Sequence, residues 1–171
     1  AAIAGSLASV SGDSPLRVRL LLDGSGAASV TAQPFAPLPA DTVWTLRIAA
    51  TRLSSADPLL RHKTTRRAAY ESARAEHAPE AANEVLLLNE RGEACEGTIT
   101  TLFIDRGDGG PLATPPLSSG LLAGVLRGQL IDEGRATERV VTQAELHAAR
   151  AIFVGNSLRG LIRARLFGPL D

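Results

Sequence analysis

Lys63 is the first residue of this sequence whose type and position point to chemistry. It lies in the stretch RHKTT at 61–65, and it is the one lysine among 18 basic residues, all the others being arginines. A lysine amine can lose its proton and attack a carbonyl carbon to form a Schiff base, whereas an arginine stays charged. The alternative interpretation is a GC-rich gene that favours arginine, with Lys63 left on the surface by chance.

Three further loops carry residues that could act together with Lys63. They are CEGT at 95–98, GVLR at 124–127 and GNSLRG at 155–160. Each has a plainer interpretation on its own: Glu96 as a turn carboxylate that faces water, GVLR as an ordinary helix start, and Ser157 as the cap of a turn after a strand. The order and spacing of the four loops favour a functional set.

The first third of the chain predicts strands and a connector. Alternation of Arg17 and Arg19 with apolar residues predicts a half-buried strand over 16–22, and DGSG at 23–26 turns it into a second strand, a hairpin. Residues 1–10 read as the end of a helix. The prolines between 34 and 39 predict an extended connector, residues 43–50 a strand, and the polar, turn-rich residues 51–57 a crossing between two lobes.

The remaining residues alternate between helix and strand signals. Helices are predicted over 64–78, with Lys63 at the entrance, over 121–133, ended by Gly134, and over 143–149, capped by Thr142. Strands are predicted over 84–89 and 98–105, as a second hairpin, and over 138–141 and 151–155. This interleaving predicts a mixed α+β fold. The expected domains are the remainder of an N-terminal lobe (1–50), a connector (51–57) and a C-terminal lobe (58–171).

Composition excludes several classes of protein. With 171 residues, the chain can form one domain or two small lobes, and 18 acidic against 18 basic residues leave no electrostatic footprint for nucleic acid or an anionic membrane. Apolar runs are too short for a membrane span. The single cysteine, Cys95, and three scattered histidines predict no disulfide and no metal site, which favours a reducing, cytoplasmic location. Because methionine is absent, we expect a fragment or a processed product.

Taken together, the four loops resemble those of the class IV pyridoxal-phosphate aminotransferases. This group holds branched-chain aminotransferases, D-amino acid aminotransferases and 4-amino-4-deoxychorismate lyases. The stretch SSADPLLRHKTTRRAAYESAR at 54–74, with NSLRG at 156–160, looks most like the lyase-type members. The resemblance covers residues 16–166 and implies the two-lobed fold of the D-amino acid aminotransferase-like enzymes.

The resemblance implies pyridoxal phosphate as cofactor and assigns roles to individual residues. Lys63 matches the catalytic lysine that holds the cofactor as a Schiff base and moves the substrate's α-proton. Glu96, 33 positions later, matches the acid that pairs with the pyridine nitrogen and keeps the ring protonated. The other matched cofactor-binding positions are Leu122 on the ring face, the backbone amides around Val125 and Leu126 as a phosphate cradle, and Ser157 as a phosphate-binding hydroxyl.

The chain also departs from the family pattern. Branched-chain enzymes carry a tyrosine five residues after the lysine, where this chain has Ala68, and Tyr70 follows two residues later. Thr101 replaces the family's asparagine, and Leu126 replaces a threonine of the cradle. The family's first part, with an arginine that clamps the phosphate, has no counterpart, so the N-terminal lobe is expected to be incomplete.

The function that the resemblance implies is 4-amino-4-deoxychorismate lyase, which releases pyruvate and the folate precursor 4-aminobenzoate. One alternative keeps the cofactor and transfers the amino group of D- or branched-chain amino acids. The other is a truncated homologue without catalysis. A homodimer acting on a small molecule, with no nucleic acid and no membrane as partner, is expected in the enzymatic cases.

Overall fold

The computed structural model describes residues 14–168, and the chain separates into two compact units, Ala1–Ala40 and Asp41–Asp171. In the first unit, β1 (Leu16–Leu22) and β2 (Ala28–Pro34) pair antiparallel, which confirms the predicted hairpin. The Asp23 carboxylate fixes the turn because it accepts hydrogen bonds from the backbone amides of Ser25 and Ala27, both at 2.9 Å. The helix predicted to end within residues 1–10 lies outside the described residues.

The second unit contains an eight-stranded mixed sheet with three α-helices. The sheet order is β5-β4-β3-β10-β9-β6-β7-β8. The strands are β3 (Val43–Leu53), β4 (Glu84–Asn89), β5 (Ala94–Gly97), β6 (Thr101–Asp105), β7 (Leu112–Thr114), β8 (Ala136–Glu138), β9 (Ala151–Asn156) and β10 (Gly160–Leu166). The helices are α1 (Ala68–Ala75), α2 (Val125–Asp132) and α3 (Gln143–Ala148), with short 3₁₀ helices at Pro58–Arg61 and Leu117–Ser119.

Both faces of the sheet are covered, which is why all six residues of β4 are buried. Leu86 and Leu88 point to the face that packs against Leu146 of α3. Val85 and Leu87 point to the opposite face, where Ala73 of α1 packs. This period of two along the strand gives the sheet one apolar core on each side.

The structure places the division between units earlier in the chain than the sequence analysis did. β3 runs unbroken through residues 43–53 and pairs parallel with both β10 and β4. Residues 43–50, assigned above to an N-terminal lobe, and residues 51–53, assigned to the connector, therefore lie inside the larger sheet. A two-lobed enzyme remains a prediction.

Several element boundaries were predicted wrongly. Residues 98–100 form a bend, so β4 pairs with β5, and β6 pairs with β7 and β9. Helix α1 begins only at Ala68, because the Thr64 hydroxyl accepts a hydrogen bond from the Arg66 amide and forms a tight turn. Helix α2 begins only after Gly124, whose backbone is extended. The short strand predicted at 138–141 lies instead at 136–138.

Other predictions for this unit are confirmed. Thr142 caps α3 in a capping box with Glu145, and the strand predicted at 151–155 is β9. Gly134 adopts a positive φ of 68° just after α2, as its role as a helix stop requires. Within residues 14–168, the helices are all too short to cross a membrane.

Candidate active site

An irregularity in β5 decides where Glu96 points. Along β4, Leu87 lies opposite Glu96 and Leu88 lies opposite Ala94, so the register skips Cys95. Cys95 packs in the same apolar cluster as Leu87, on the α1 face of the sheet. This bulge turns Glu96 to the α1 face as well, although regular alternation would turn it to the other side.

The Glu96 carboxyl is buried, with only 6% of the residue exposed. Its Oε1 accepts a hydrogen bond from the Tyr70 hydroxyl at 2.7 Å. Burial raises the pKa of Glu96 to about 7, against the opposing effects of the Tyr70 hydroxyl, the Leu122 backbone amide and the positive charges of Lys63 and Arg67. The carboxyl therefore keeps its proton to a higher pH than an exposed glutamate does.

Tyr70 and Arg67 form a stacked pair over Glu96. The Arg67 guanidinium carbon lies 4.7 Å from the centre of the Tyr70 ring, and its Nη2 donates to the Thr98 carbonyl. Burial, and then the charge of Glu96, raise the pKa of the Tyr70 phenol, so it stays protonated and acts as a donor. Arg67 and Tyr70 are three positions apart at the start of α1, so the Tyr70 hydroxyl contacts the carboxyl while the Arg67 guanidinium lies against the Tyr70 ring.

Glu84 holds the loop that follows Glu96. Its side chain is fully buried and accepts hydrogen bonds from the Thr98 and Ile99 amides, both at 3.0 Å, and from the Thr98 and Thr100 hydroxyls. Gly97 is required beside it, because a Cβ there would lie 2.5 Å from Thr100 Oγ1 and 2.7 Å from Glu84 Oε2. The sequence analysis did not identify Glu84 as a site residue, because Glu84 was considered there only as the first residue of a predicted strand.

Lys63 lies on an exposed loop before α1 rather than at the helix entrance. Its ammonium is close enough to Glu96 to lower the pKa of that carboxyl. Within residues 14–168, the Lys63 amine makes no hydrogen bond or salt bridge with another side chain. The 3₁₀ helix at 58–61 supports this loop, since Arg61 Nη1 donates to the Leu121 carbonyl at 3.4 Å. An amine without a protein partner is available to a ligand.

Leu122, Val125 and Leu126 lie on the other side of Glu96, at the entrance of α2. The Leu122 amide is directed at Glu96, and the backbone from Gly124 enters the helix without a side-chain cap. The first amides of α2, including those of Val125 and Leu126, therefore have no acceptor within the helix. Amides of this kind, aligned with the helix dipole, bind anions.

Ser157 lies in the exposed turn between β9 and β10. The turn is tied to the Glu96 loop, because Asn156 Nδ2 donates to the Ile99 carbonyl at 3.1 Å. The strand leading into it is packed against the α2 entrance, since a Cβ at Gly155 would lie 2.9 Å from Leu126 Cδ2. The structure thus brings all the predicted site residues of the larger unit to one region, with Asn156 as an additional member.

The departures from the family pattern can also be located. Ala68 begins α1 and is exposed, so no hydroxyl stands in the place of the branched-chain enzymes' tyrosine. Tyr70 does not replace it, because its hydroxyl is engaged by Glu96. Thr101, at the asparagine position, borders the helix entrance, with its Oγ1 3.0 Å from where a Gly124 Cβ would lie.

The donor set of this region fits pyridoxal phosphate. The cofactor carries four polar groups: an aldehyde, a ring nitrogen that can hold a proton, a phosphate and a phenolic hydroxyl, and the described residues offer partners for the first three. The region offers an amine at Lys63, a buried carboxyl at Glu96, and uncapped helix amides at Val125 and Leu126. Two neutral donors, the Tyr70 hydroxyl and the Leu122 amide, lower the pKa of Glu96 but do not cancel the effect of burial, which raises it to about 7. A cationic ring is the partner that such a carboxyl lacks.

Residues 2–167 match the family described as amino-transferase class IV. The chain belongs to the class IV aminotransferase family. Members of this family depend on pyridoxal phosphate, so the family cofactor is the one that the donor set fits. The resemblance inferred from the four loops, and the α+β fold that it implied, are confirmed.

Individual relatives of the class IV family carry two kinds of description. The chain is 55% identical to a solved structure described as an amino-acid aminotransferase from Mesorhizobium loti, with a TM-score of 0.94 over 97% of this chain and 81% of that one. It is 28% identical to the 4-amino-4-deoxychorismate lyase of Pseudomonas aeruginosa, with a TM-score of 0.69 over 81% of this chain and 55% of that one.

A curated relative is described as a probable branched-chain-amino-acid aminotransferase from Thermotoga maritima. It is 33% identical over 87 residues, which cover 48% of this chain and 31% of that protein. The chain thus matches about a third of this curated relative. The relatives share the fold and the family with this chain, and their descriptions divide between amino transfer and lyase chemistry.

Proposed function

We propose that this chain is the cofactor-binding part of a pyridoxal-phosphate enzyme whose reaction is that of 4-amino-4-deoxychorismate lyase. The observation that carries the cofactor proposal is the joint placement of a lysine amine, a buried carboxyl and an uncapped helix entrance around Glu96. When bound, pyridoxal phosphate supplies an electron sink for a carbon that bears an amino group. The protein has to hold the cofactor, keep its ring charged and move protons.

Glu96 serves the ring nitrogen in this proposal. A carboxylate at this position favours a protonated nitrogen, and a protonated ring accepts electrons better than a neutral one. Its burial strengthens the attraction, because opposite charges interact more strongly where water is excluded. The Leu122 side chain is proposed to pack on the ring face, and its amide already contacts the carboxyl.

The entrance of α2 serves the phosphate. The amides of Val125 and Leu126 supply donors and the positive end of the helix dipole, and both are backbone groups, so the side chain at Leu126 is not decisive. Ser157 is proposed to add a hydroxyl from the neighbouring turn. Lys63 is proposed to hold the cofactor covalently, and then, once released by the substrate amine, to take the proton from the carbon that bears nitrogen.

Lyase chemistry is favoured by the residues around Lys63. The substrate loses a proton from the amino-bearing carbon, and the bond between the ring and the enolpyruvyl oxygen breaks, which leaves the aromatic product 4-aminobenzoate. The enolpyruvate that departs takes up a proton and becomes pyruvate. The stretch at 54–74 resembles the lyase-type members, and Ala68 lacks the hydroxyl that branched-chain enzymes place there. The 28% identical Pseudomonas aeruginosa lyase supports the same proposal.

Amino transfer is the second candidate, and the descriptions of the relatives favour it. Both the Mesorhizobium loti structure and the Thermotoga maritima protein are described as aminotransferases. In that reaction, Lys63 would return the proton to the cofactor's aldehyde carbon, and no pyruvate would leave the substrate. A homologue that has lost catalysis is the third candidate, and retention of both Lys63 and Glu96 argues against it.

The cofactor proposal is tested by mixing the protein with pyridoxal phosphate, recording the visible spectrum, and reducing with borohydride before peptide mass mapping. We expect a band characteristic of a lysine-bound cofactor and a reduced adduct on Lys63. Lys63→Arg, which keeps the charge but cannot form the adduct, is the matched control. A folded wild-type protein with no band and no adduct would exclude both enzymatic candidates.

The reaction is then tested with two assays on the loaded protein. Pyruvate release from 4-amino-4-deoxychorismate is expected for the lyase, and exchange between an amino acid and a keto acid for the aminotransferase. A homodimer, also proposed, is tested by light scattering at micromolar concentration. A monomeric mass there would contradict it.

A further inference from the structure

The Tyr70 contact has no role in the function proposed above. Its hydroxyl donates to Glu96 Oε1 at 2.7 Å, and the guanidinium carbon of Arg67 lies over the Tyr70 ring, 4.7 Å from its centre. The position is seven residues after Lys63, so Tyr70 does not occupy the place of the tyrosine that branched-chain enzymes use. Arg67 is itself held by its hydrogen bond to the Thr98 carbonyl.

We infer that Tyr70, supported by Arg67, is a positioning residue that favours the ionised form of Glu96 and directs its carboxylate toward the cofactor's ring nitrogen. The inference rests on the proposed function, because it concerns the residue that would hold that nitrogen. It deepens that function by assigning the Glu96 ionisation to a specific pair of side chains.

The first argument is geometric. A carboxylate held by one hydrogen bond can still rotate about its last bond, and a donor from α1 together with the Leu122 amide from the α2 side restrains it on two sides. The Tyr70 ring is itself clamped by the Arg67 guanidinium. A restrained carboxylate binds a ligand without first losing conformational freedom.

The second argument is electrostatic. Burial favours the neutral form of Glu96, and the groups that face it and favour the charged form are the Tyr70 hydroxyl, the Leu122 amide, Lys63 and Arg67. In a loaded enzyme, the Lys63 amine is engaged by the cofactor and no longer contributes its full charge. Tyr70, the Leu122 amide and Arg67 then remain as the protein groups that favour the ionised carboxylate, and Tyr70 and Arg67 are the side chains among them.

Tyr70→Phe tests the inference, because it removes the hydroxyl and keeps the ring on which Arg67 stacks. In the cofactor-free full chain labelled with [5-¹³C]glutamate, we expect the pKa of Glu96 to rise by about 1. The Glu96 signal is assigned by its absence in Glu96→Gln. At pH 7, the dissociation constant for pyridoxal phosphate is expected to rise about 3- to 10-fold, and the defect should shrink as the pH rises and the carboxyl ionises again.

Arg67→Gln should change the Glu96 pKa and the affinity in the same direction but less, since Arg67 acts through space and through the ring. Thr114→Val is the matched control. It removes a buried hydroxyl of β7 that donates to the Leu102 carbonyl of β6, and it should lower stability without moving the Glu96 pKa.

The outcomes separate the inference from the proposed function. If Tyr70→Phe lowers only the stability, as Thr114→Val does, while wild type binds the cofactor, the positioning role is wrong and the proposed function stands. If wild-type protein forms no adduct with pyridoxal phosphate, the proposed function fails and the inference fails with it.

Discussion

Two glutamates lie at the same, open end of the β4–β5 hairpin, and they are buried to similar extents but differ in their hydrogen-bond partners. Glu84, at the start of β4, is 0% exposed and accepts four hydrogen bonds from the loop that follows Glu96, in addition to the adjacent Val85 amide. Glu96, at the end of β5, is 6% exposed and receives a single side-chain hydrogen bond, from Tyr70.

The difference separates a carboxylate whose hydrogen bonds are satisfied within the protein from one that we propose to bind the cofactor. The donors around Glu84 come from Val85 and from the loop at 98–100. The acceptor capacity of Glu84 is therefore used in holding that loop. Glu96 is buried without equivalent compensation, and burial raises the pKa of its carboxyl to about 7. Incomplete compensation of a buried acid is a feature of sites that await a charged partner.

The largest expected effect is the loss of stability in Glu84→Ala. The substitution leaves two amides and two hydroxyls of residues 98–100 buried without their acceptor, and each such loss is costly. We expect the free energy of unfolding to fall by about 3–5 kcal/mol, measured by urea denaturation of the full chain. A loss below about 1 kcal/mol would mean that the two glutamates do not differ in the way described.

The next effect is the pH dependence of Glu96→Gln. A carboxyl whose pKa is raised on folding contributes stability that is fully present below the unfolded pKa of 4.5 and is lost as the pH rises through about 7. The wild type should therefore lose up to about 3 kcal/mol over this window relative to Glu96→Gln, which has no proton to lose. The measurement is paired urea unfolding between pH 4.5 and 8.

This pairing removes the effects of other carboxyls. The pKa values of Glu90 and Glu93 are lowered to about 2, by the Ser55 hydroxyl and the Arg91 guanidinium respectively, and both residues are present in the two proteins. A stability difference between wild type and Glu96→Gln that stays constant from pH 4.5 to 8 would contradict the prediction. It would show that the hydrogen bonds of Glu96 offset the cost of burying its charge.

The smallest effect concerns the glycine between the two carboxylates. Gly97→Ala would place a Cβ 2.7 Å from Glu84 Oε2 and 2.5 Å from Thr100 Oγ1, so the Glu84 network must shift. We expect a loss of about 1–3 kcal/mol in the free energy of unfolding, together with weaker binding of pyridoxal phosphate, because the shift displaces Glu96. Unfolding and cofactor titration measure the two parts.

Gly128→Ala is the matched control for that substitution. Gly128 lies within α2, and nothing lies within 4 Å of the position of its Cβ. Alanine there should stabilise the helix by about 0.5–1 kcal/mol. Equal behaviour of the two alanine variants would contradict the close packing around Gly97.

Local signals in the sequence were sufficient for parts of this fold. The hairpin over residues 16–34, the capped helix after Thr142 and the strand at 151–156 all follow from turn residues, caps and alternation within a few positions. The four loops were sufficient for the family, which the match over residues 2–167 confirms. The roles of the individual site residues remain predictions.

Signals that depend on distant residues were missed. The loop at 98–100 is bent because Glu84, from another strand, takes up its donors, so the predicted strand at 98–105 is interrupted. The start of α1 was missed for a local reason, because a turn forms at Thr64 where a helix cap was expected. In both places, a side chain offered the backbone an alternative to regular structure.

The sequence by itself determined which chemical groups this protein has, their order, and the family to which they belong. The tertiary structure decided which of those groups are in contact and how the contacts change their pKa values. The bulge that skips Cys95 turns Glu96 to the face of α1, and α1 brings Tyr70 to its carboxyl. Burial and long-range contacts set the pKa of Glu96, and neither can be read from neighbouring residues, because they depend on how separate elements pack.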